Sequence, residues 1–184
     1  MPVIIATTNK SKYEEISAVL KTLGISSEMA HVECDERGET LEEIAREKAR
    51  QAYVKIKKPL ITEDTGIFFS AYENFPGARA KRVFLDIGFD GILKKLEGKK
   101  RDATVRTVIC YTNGKQEKLF AGEMQGRIAE MPAGNADANV PYEKIFIPQG
   151  GNVPLSFVSR EEKNKISHRG QATRKFAEWF RSAR

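Results

Sequence analysis

The chain opens on an unbroken apolar run, Val3-Ile4-Ile5-Ala6, too short for a helix and the right length for a buried strand. Polar residues follow, and then Tyr13, Ile16, Val19, Leu20 and Leu23 recur at helical spacing, which predicts a helix over residues 10–23. Asn9 stands where an N-cap belongs, and Gly24 where the helix must end; Ser11 with Glu14 also fits a capping box. A second strand is predicted over residues 27–32. Thr40 then opens a second helix, whose apolar stripe is Leu41, Ile44, Ala45, Ala49, Ala52 and Tyr53. Pro59 stops it, and Leu60-Ile61-Thr62 starts another strand. Pro76-Gly77 marks a turn before a short helical stretch, and residues 87–96 read as a further helix.

The clearest alternation follows. Ala103, Val105, Thr107, Ile109 and Tyr111 alternate with Thr104, Arg106, Val108 and Cys110, and Asn113-Gly114 supplies a type I′ hairpin turn. Residues 119–129 return as the partner strand, 132–139 form a loop, and 144–147 a short strand. Ser167 caps a last helix that begins at His168, with Ala172, Phe176, Ala177 and Phe180 on one face. Helices and strands intermix around one long hairpin. This order predicts an α/β fold: a single two-lobed domain over residues 1–184, its long mixed, twisted β-sheet flanked by helices, with a central groove.

Composition narrows the function. The 184 residues are 40% hydrophobic and 30% charged, which suits a globular chain rather than a disordered one. No apolar run approaches a membrane span, and the N-terminus lacks the basic-then-apolar signal of export. Cys34 and Cys110 are too few for a disulfide framework or a cysteine-type zinc site, so a cytoplasmic protein with no membrane partner is expected. A net charge of +6 favours an anionic partner. No aromatic-and-basic RNA-binding signature accompanies it, so a nucleotide is expected rather than a nucleic acid. A nucleotide- or RNA-binding module without hydrolysis is the rival from another class.

Five polar clusters carry candidate chemistry. Thr7-Thr8-Asn9-Lys10-Ser11-Lys12 follows a strand and opens a helix, where free backbone N–H groups and two lysines suit a triphosphate; a well-capped helix explains the same residues. Asp35, Glu36, Glu39, Glu42 and Glu43 form an acidic group around the start of the second helix, and Glu43 borders its apolar stripe. Glu63-Asp64-Thr65-Gly66 puts two adjacent carboxylates at the expected end of an apolar strand, where α/β proteins place ligands. Hard oxygen ligands from these two places would hold Mg²⁺. Tyr142-Glu143-Lys144 offers a ring to stack on a base and a carboxylate to accept from a ring N–H. Lys163 and Ser167-His168-Arg169-Gly170 gather cationic and imidazole groups at a helix start, as a phosphate or flat polar ligand requires.

In this order, the clusters resemble the inosine triphosphate pyrophosphatase, or Ham1-like, family. Residues 7–12 look like its Thr-x-Asn-x-x-Lys phosphate loop, and Glu36 and Glu43 stand where it has acids before and inside its second helix. Glu63-Asp64-Thr65-Gly66, Pro76-Gly77 and Gly126-Arg127-Ile128 before Pro132 are similar to three further motifs. Lys163 with residues 167–170 matches its C-terminal signature closely. The chain departs from the family at Val140-Pro141-Tyr142-Glu143-Lys144, where Phe-Gly-Tyr/Trp-Asp-Pro is usual, and over residues 150–158.

The resemblance implies Mg²⁺-dependent hydrolysis, with Mn²⁺ as a substitute, of inosine, deoxyinosine and xanthosine triphosphates to monophosphate and pyrophosphate. It implies Asp64 and Glu63 as catalytic acids, and Glu36, Glu43 and Asp64 as metal ligands. Thr7, Thr8, Asn9, Lys10, Ser11, Lys12 and Lys163 would hold the phosphates, and Thr65 would also bind the substrate. Tyr142, Glu143, His168 and Arg169 would hold the base. A homodimer is implied by the resemblance alone.

Overall fold

The computed structural model describes residues 2–135 and 140–183. The first apolar run is strand β1 (Val3–Ala6), buried on both faces. Helix α1 (Lys10–Thr22) follows, with the Asn9 side chain accepting from the Lys12 N–H. Asn9 is thus the cap, and Glu14 instead pairs with Arg160 at 2.7 Å. Strand β2 (Ser27–Ala30) ends two residues before the predicted boundary. Helix α2 (Leu41–Ile56) starts at Thr40, whose side chain and Glu43 close a full capping box.

Strand β3 (Leu60–Phe69) is longer than its sequence predicts. The polar stretch Glu63-Asp64-Thr65 reads as a strand end, yet the strand runs through it, because each of these side chains finds a partner. Pro76–Gly77 form a two-residue strand, β4, paired with β3, and α3 (Ala80–Lys95) follows with a kink at Gly88, where φ is 61°. That left-handed conformation favours glycine and breaks the helix into the two stretches the sequence predicts. Strands β5 (Asp102–Thr112) and β6 (Glu117–Ile128) form the long hairpin. Thr112 pairs with Glu117, so the connection holds four residues and not a two-residue type I′ turn. The Asn113 side chain closes it by accepting from the N–H groups of Lys115 and Gln116.

Beyond the hairpin, part of the predicted loop, residues 136–139, lies outside the described residues. Pro141–Lys144 form a turn of 3₁₀-helix rather than the start of a strand, and β7 is Phe146–Pro148. A short helix absent from the sequence-based expectation, α4 (Arg160–Ile166), precedes α5 (His168–Ser182). It buries no residue, so no apolar stripe marks it; a Ser159–Glu162 capping box sets its start.

The sheet runs β2-β1-β3-β5-β6-β7, with β4 on the β3 edge. The β2-β1-β3 portion is parallel and the remainder antiparallel. Helix α2 covers one face through Leu41, Ala45 and Ala49 against Val108 and Cys110. Helices α1 and α5 cover the other through Ile16, Leu20, Phe176 and Ala177 against Ile61, Ile109 and Tyr111. This double cover explains why β5 loses its alternating burial after Thr107. A second core packs α3 against the far halves of β3, β5 and β6, through Ile92, Leu96, Phe69, Val105 and Met124. The groove lies between the two cores.

Candidate active site

β1 pairs with β3 only as far as Ile5 opposite Ile61. The chain then turns through Thr7, Thr8 and Asn9 into α1 and leaves the next part of β3 uncovered. The strand end that opens the cleft is therefore that of β1, while Glu63 and Asp64 lie mid-strand. Adjacent strand residues point to opposite faces, so the two carboxylates do not act as a joined pair.

Asp64 faces α2. Lys48 Nζ lies 3.0 Å from Asp64 Oδ1 and 3.4 Å from Glu36 Oε1, drawing two carboxylates onto one cation. Burial pushes the Asp64 carboxyl above its usual range, with Lys48 and Lys12 opposing. Lys48 is also buried, but Asp64 and Glu36 outweigh the burial and hold its ammonium protonated. Asp64, Glu36 and Lys48 all line the cleft.

Glu63 faces α1 and α5. Its Oε2 is 2.6 Å from Lys12 Nζ and its Oε1 3.1 Å from Arg169 Nε. Burial opposes its charge, yet Lys12 and Arg169 hold its carboxyl well below the usual range. Arg169 is also gripped by Glu15, with Nη1 to Oε2 at 2.5 Å, and Nη2 donates to Thr65. Burial likewise opposes the charge on Glu15, but Arg169 and Lys163 leave its pKa lowered. Glu63 and Glu15 form the floor of the site and are absent from the cleft lining.

Gly122 of β6 places α5 above this floor. A Cβ there would sit 2.1 Å from the His168 carbonyl oxygen and 2.7 Å from the Ala172 nitrogen. Only glycine lets the first turn of α5 lie so close to the sheet. Ser167 caps the helix by accepting from the Gly170 N–H at 3.1 Å, and His168 Nδ1 reaches Thr107 Oγ1 at 2.7 Å. Burial first, and the Arg169 charge second, push the His168 pKa well below its usual value, so the ring is neutral at pH 7.

The structure brings together Thr7, Thr8, Asn9, Lys12, Glu36, Asp64, Thr65, Tyr142, Glu143, His168 and Arg169 along one cleft. Ile67, Val105, Phe146 and Leu155 give it an apolar wall. Lys163 and Ser11 line an adjoining hollow, where Lys163 holds Glu143 by both oxygens at 2.8 and 2.9 Å. Burial raises the Glu143 pKa against that ion pair. The Tyr142 ring packs edge-on to Phe69 and Phe84 while its hydroxyl donates to the Ala80 carbonyl, so it joins the two sides of the second lobe.

Two expected residues stand elsewhere. Glu43 is exposed, and its carboxylate accepts from the Glu39 and Thr40 N–H groups, which draws it to the helix cap and away from Asp64. Lys10 has an 83% exposed side chain and leans toward Glu14.

Lys48, Glu15 and Thr107 are not in the sequence-based set. Each is a polar residue in an apolar pattern, Lys48 four after Ile44, Glu15 four before Val19 and Thr107 between the inward Val105 and Ile109, but the pattern does not say which partner it meets.

A sequence profile of the Ham1 family matches residues 3–179. A dITP/XTP pyrophosphatase of Methanopyrus kandleri is 40% identical over 185 residues, covering 99% of this chain and 97% of that protein. One from Hyperthermus butylicus is 39% identical over 181 residues, covering 97% and 94%. A HAM1 protein structure from Coxiella burnetii superposes with a TM-score of 0.83 at 26% identity, covering 99% of this chain and all of that one. The profile takes in both halves of the site, from the loop after β1 to the capped start of α5, and the chain belongs to the Ham1 family.

Proposed function

We propose that this chain is a Mg²⁺-dependent pyrophosphatase of nonstandard purine nucleoside triphosphates, releasing the monophosphate and pyrophosphate from inosine, deoxyinosine and xanthosine triphosphates. One observation carries it: Asp64 and Glu36 share a cation position at Lys48 Nζ, beside a helix N-terminus, in a cleft with an apolar wall. The two relatives named dITP/XTP pyrophosphatase support the same substrate class for this chain. A homodimer, a cytoplasmic address and a single domain over residues 1–184 belong to the same reading.

The donor set fits a hard divalent ion. Mg²⁺ commonly takes one or two carboxylates and fills its other positions with water and phosphate oxygens. Asp64 and Glu36 supply two, and no group of three or more metal-ligating side chains gathers among the described residues. When bound, Mg²⁺ would neutralise phosphate charge and fix the reacting phosphorus. Lys48 holds the two carboxylates together and, lining the same cleft, would add a positive charge for the phosphates.

The Thr7 and Asn9 N–H groups are taken up by the Ala30 carbonyl and the Thr7 hydroxyl, so the loop offers phosphate oxygens its Thr8 turn and the N-terminus of α1, with Lys12 Nζ beside them. Asp64 accepts a proton from the attacking water, a role that its raised pKa favours. Glu63 serves by anchoring Lys12 and Arg169 rather than by touching the reaction.

Comparing kcat/KM for inosine, xanthosine and deoxyinosine triphosphates with adenosine and guanosine triphosphates tests the substrate class. Preference for the first three is expected. Nucleotide binding with no turnover would favour the binding-module alternative and overturn the proposal.

A further inference from the structure

Glu63, Thr65, Thr107 and His168 form a line of close contacts on the α5 side of the sheet. Thr65 Oγ1 donates to Glu63 Oε1. Thr107 Oγ1 lies 2.5 Å from Thr65 Oγ1, and His168 Nδ1 lies 2.7 Å from Thr107 Oγ1. Each contact needs a proton between its heavy atoms, because two lone pairs at such a distance repel. Glu63 brings none, since its carboxylate is ion-paired with Lys12 and Arg169. The two threonine hydroxyls bring one proton each, which fills two of the three contacts. The third proton must sit on Nδ1. A further approach of Thr107 Oγ1 to Glu63 Oε1, at 3.3 Å, is long enough to stand without a proton of its own, so the count is unchanged. The Arg169 Nη2 proton points at Thr65 from outside the line and fills none of its contacts.

We propose that Thr107 is a positioning residue that fixes His168 as its Nδ1–H tautomer, so that Nε2 meets the substrate as a hydrogen-bond acceptor. Burial and the neighbouring Arg169 keep the ring neutral, so it carries only that one proton. His168 lines the cleft, and no described residue bonds to its Nε2. Arg169, which the sequence offers as a base-reading donor, is already held by Glu15, Glu63 and Thr65. Three of its five N–H donors are spent there, and His168 Nε2 adds an acceptor to the cleft that no arginine can supply. On the pyrophosphatase reading, the matching substrate group is the N1–H of a 6-oxopurine. Adenine carries a lone pair at N1 and would oppose the Nε2 lone pair. The tautomer itself does not depend on that reading.

Long-range ¹H–¹⁵N correlation spectra of the free protein at pH 7 report the tautomer directly. The other histidine, His31, is exposed, and His31→Gln removes its signals. His168 is expected to show a protonated Nδ1 and a bare Nε2; a protonated Nε2 overturns the proposal. Thr107→Val removes the hydroxyl at nearly constant shape. It should release His168 to the Nε2–H form and lower the inosine-over-adenosine ratio of kcat/KM by roughly tenfold or more. Thr107→Ser should keep both wild-type properties. An unchanged tautomer in Thr107→Val overturns the positioning role, and a switched tautomer with an unchanged ratio overturns the base-facing assignment. If the valine variant does not fold, the wild-type and serine spectra still decide the tautomer. A protonated Nδ1 in a protein that turns over no nucleoside triphosphate would sink the pyrophosphatase reading and leave the tautomer standing.

Discussion

At the scale of single residues, the two adjacent acids of β3 separate into different tasks because a strand sends them to opposite faces. Asp64 is the one in the cleft, with a carboxyl biased toward taking a proton. Asp64→Asn should lower kcat by about 10²–10⁴-fold while leaving the thermal midpoint nearly unchanged. A variant retaining more than about a tenth of the wild-type rate contradicts the proton-accepting role. Glu15 behaves in the reverse way. It holds Arg169 and Lys163 from below the cleft, so Glu15→Ala leaves buried cations short of a partner. Urea unfolding should show a loss of roughly 3 kcal/mol; a loss within the scatter of the method would mean that Glu63 suffices for Arg169. The contiguous clusters, residues 7–12 and 167–170, were legible because a helix start announces itself by its own residues. Lys48, Glu15 and Thr107 were not, since their partners lie on other elements and only the sheet's face assignment brings them together.

At the scale of elements, the site is made where β1 stops and α5 begins. The sequence marks both boundaries through Asn9 and Ser167. It conceals the continuation of β3, because charged residues inside a strand look like a terminus until their ion pairs are known. It also conceals α4, which has no buried face. The closeness of α5 to β6 depends on Gly122, where any Cβ collides with helix backbone. Gly122→Ala should displace the first turn of α5 and, with it, both His168 and Arg169. Activity should fall by at least about 10²-fold, as an ångström-scale misplacement does, with circular dichroism still reporting the native helix content. Near-wild-type activity in Gly122→Ala would show that this approach does not position the site.

At the scale of the whole molecule, buried ionisable groups tie stability to pH. His168 is neutral in the fold and titrates near 6.5 when unfolded. The unfolded chain therefore binds the extra proton first, and stability falls as pH drops below 6.5. Glu15 and Glu63 have lowered pKa values, so their contribution is present above 4.5 and erodes below it. Asp64 and Glu143 shift the other way and gain protons more readily when folded, which opposes both trends. Denaturant titrations of wild type and His168→Gln isolate the first effect, since the other groups are common to both. The variant should lose up to ~1.4 kcal/mol per pH unit of the slope between 6.5 and 4.5. Equal slopes would mean that His168 takes up its proton alike in the folded and the unfolded chain, with no lowering of its pKa by burial. The two-lobed α/β plan was legible from the alternation of periods along the chain. The depth of the charged floor between the lobes was not, because it depends on which helix covers which face.

On the proposed function, hydrolysis falls between the α- and β-phosphates at the Asp64–Glu36 site. Its most direct test is to incubate the purified protein with inosine triphosphate, with Mg²⁺ and separately with excess EDTA, and to identify the products. Inosine monophosphate and pyrophosphate in equal amounts, formed with Mg²⁺ and abolished by EDTA, are predicted. Full activity in EDTA, orthophosphate with inosine diphosphate, or tight binding without products would contradict it.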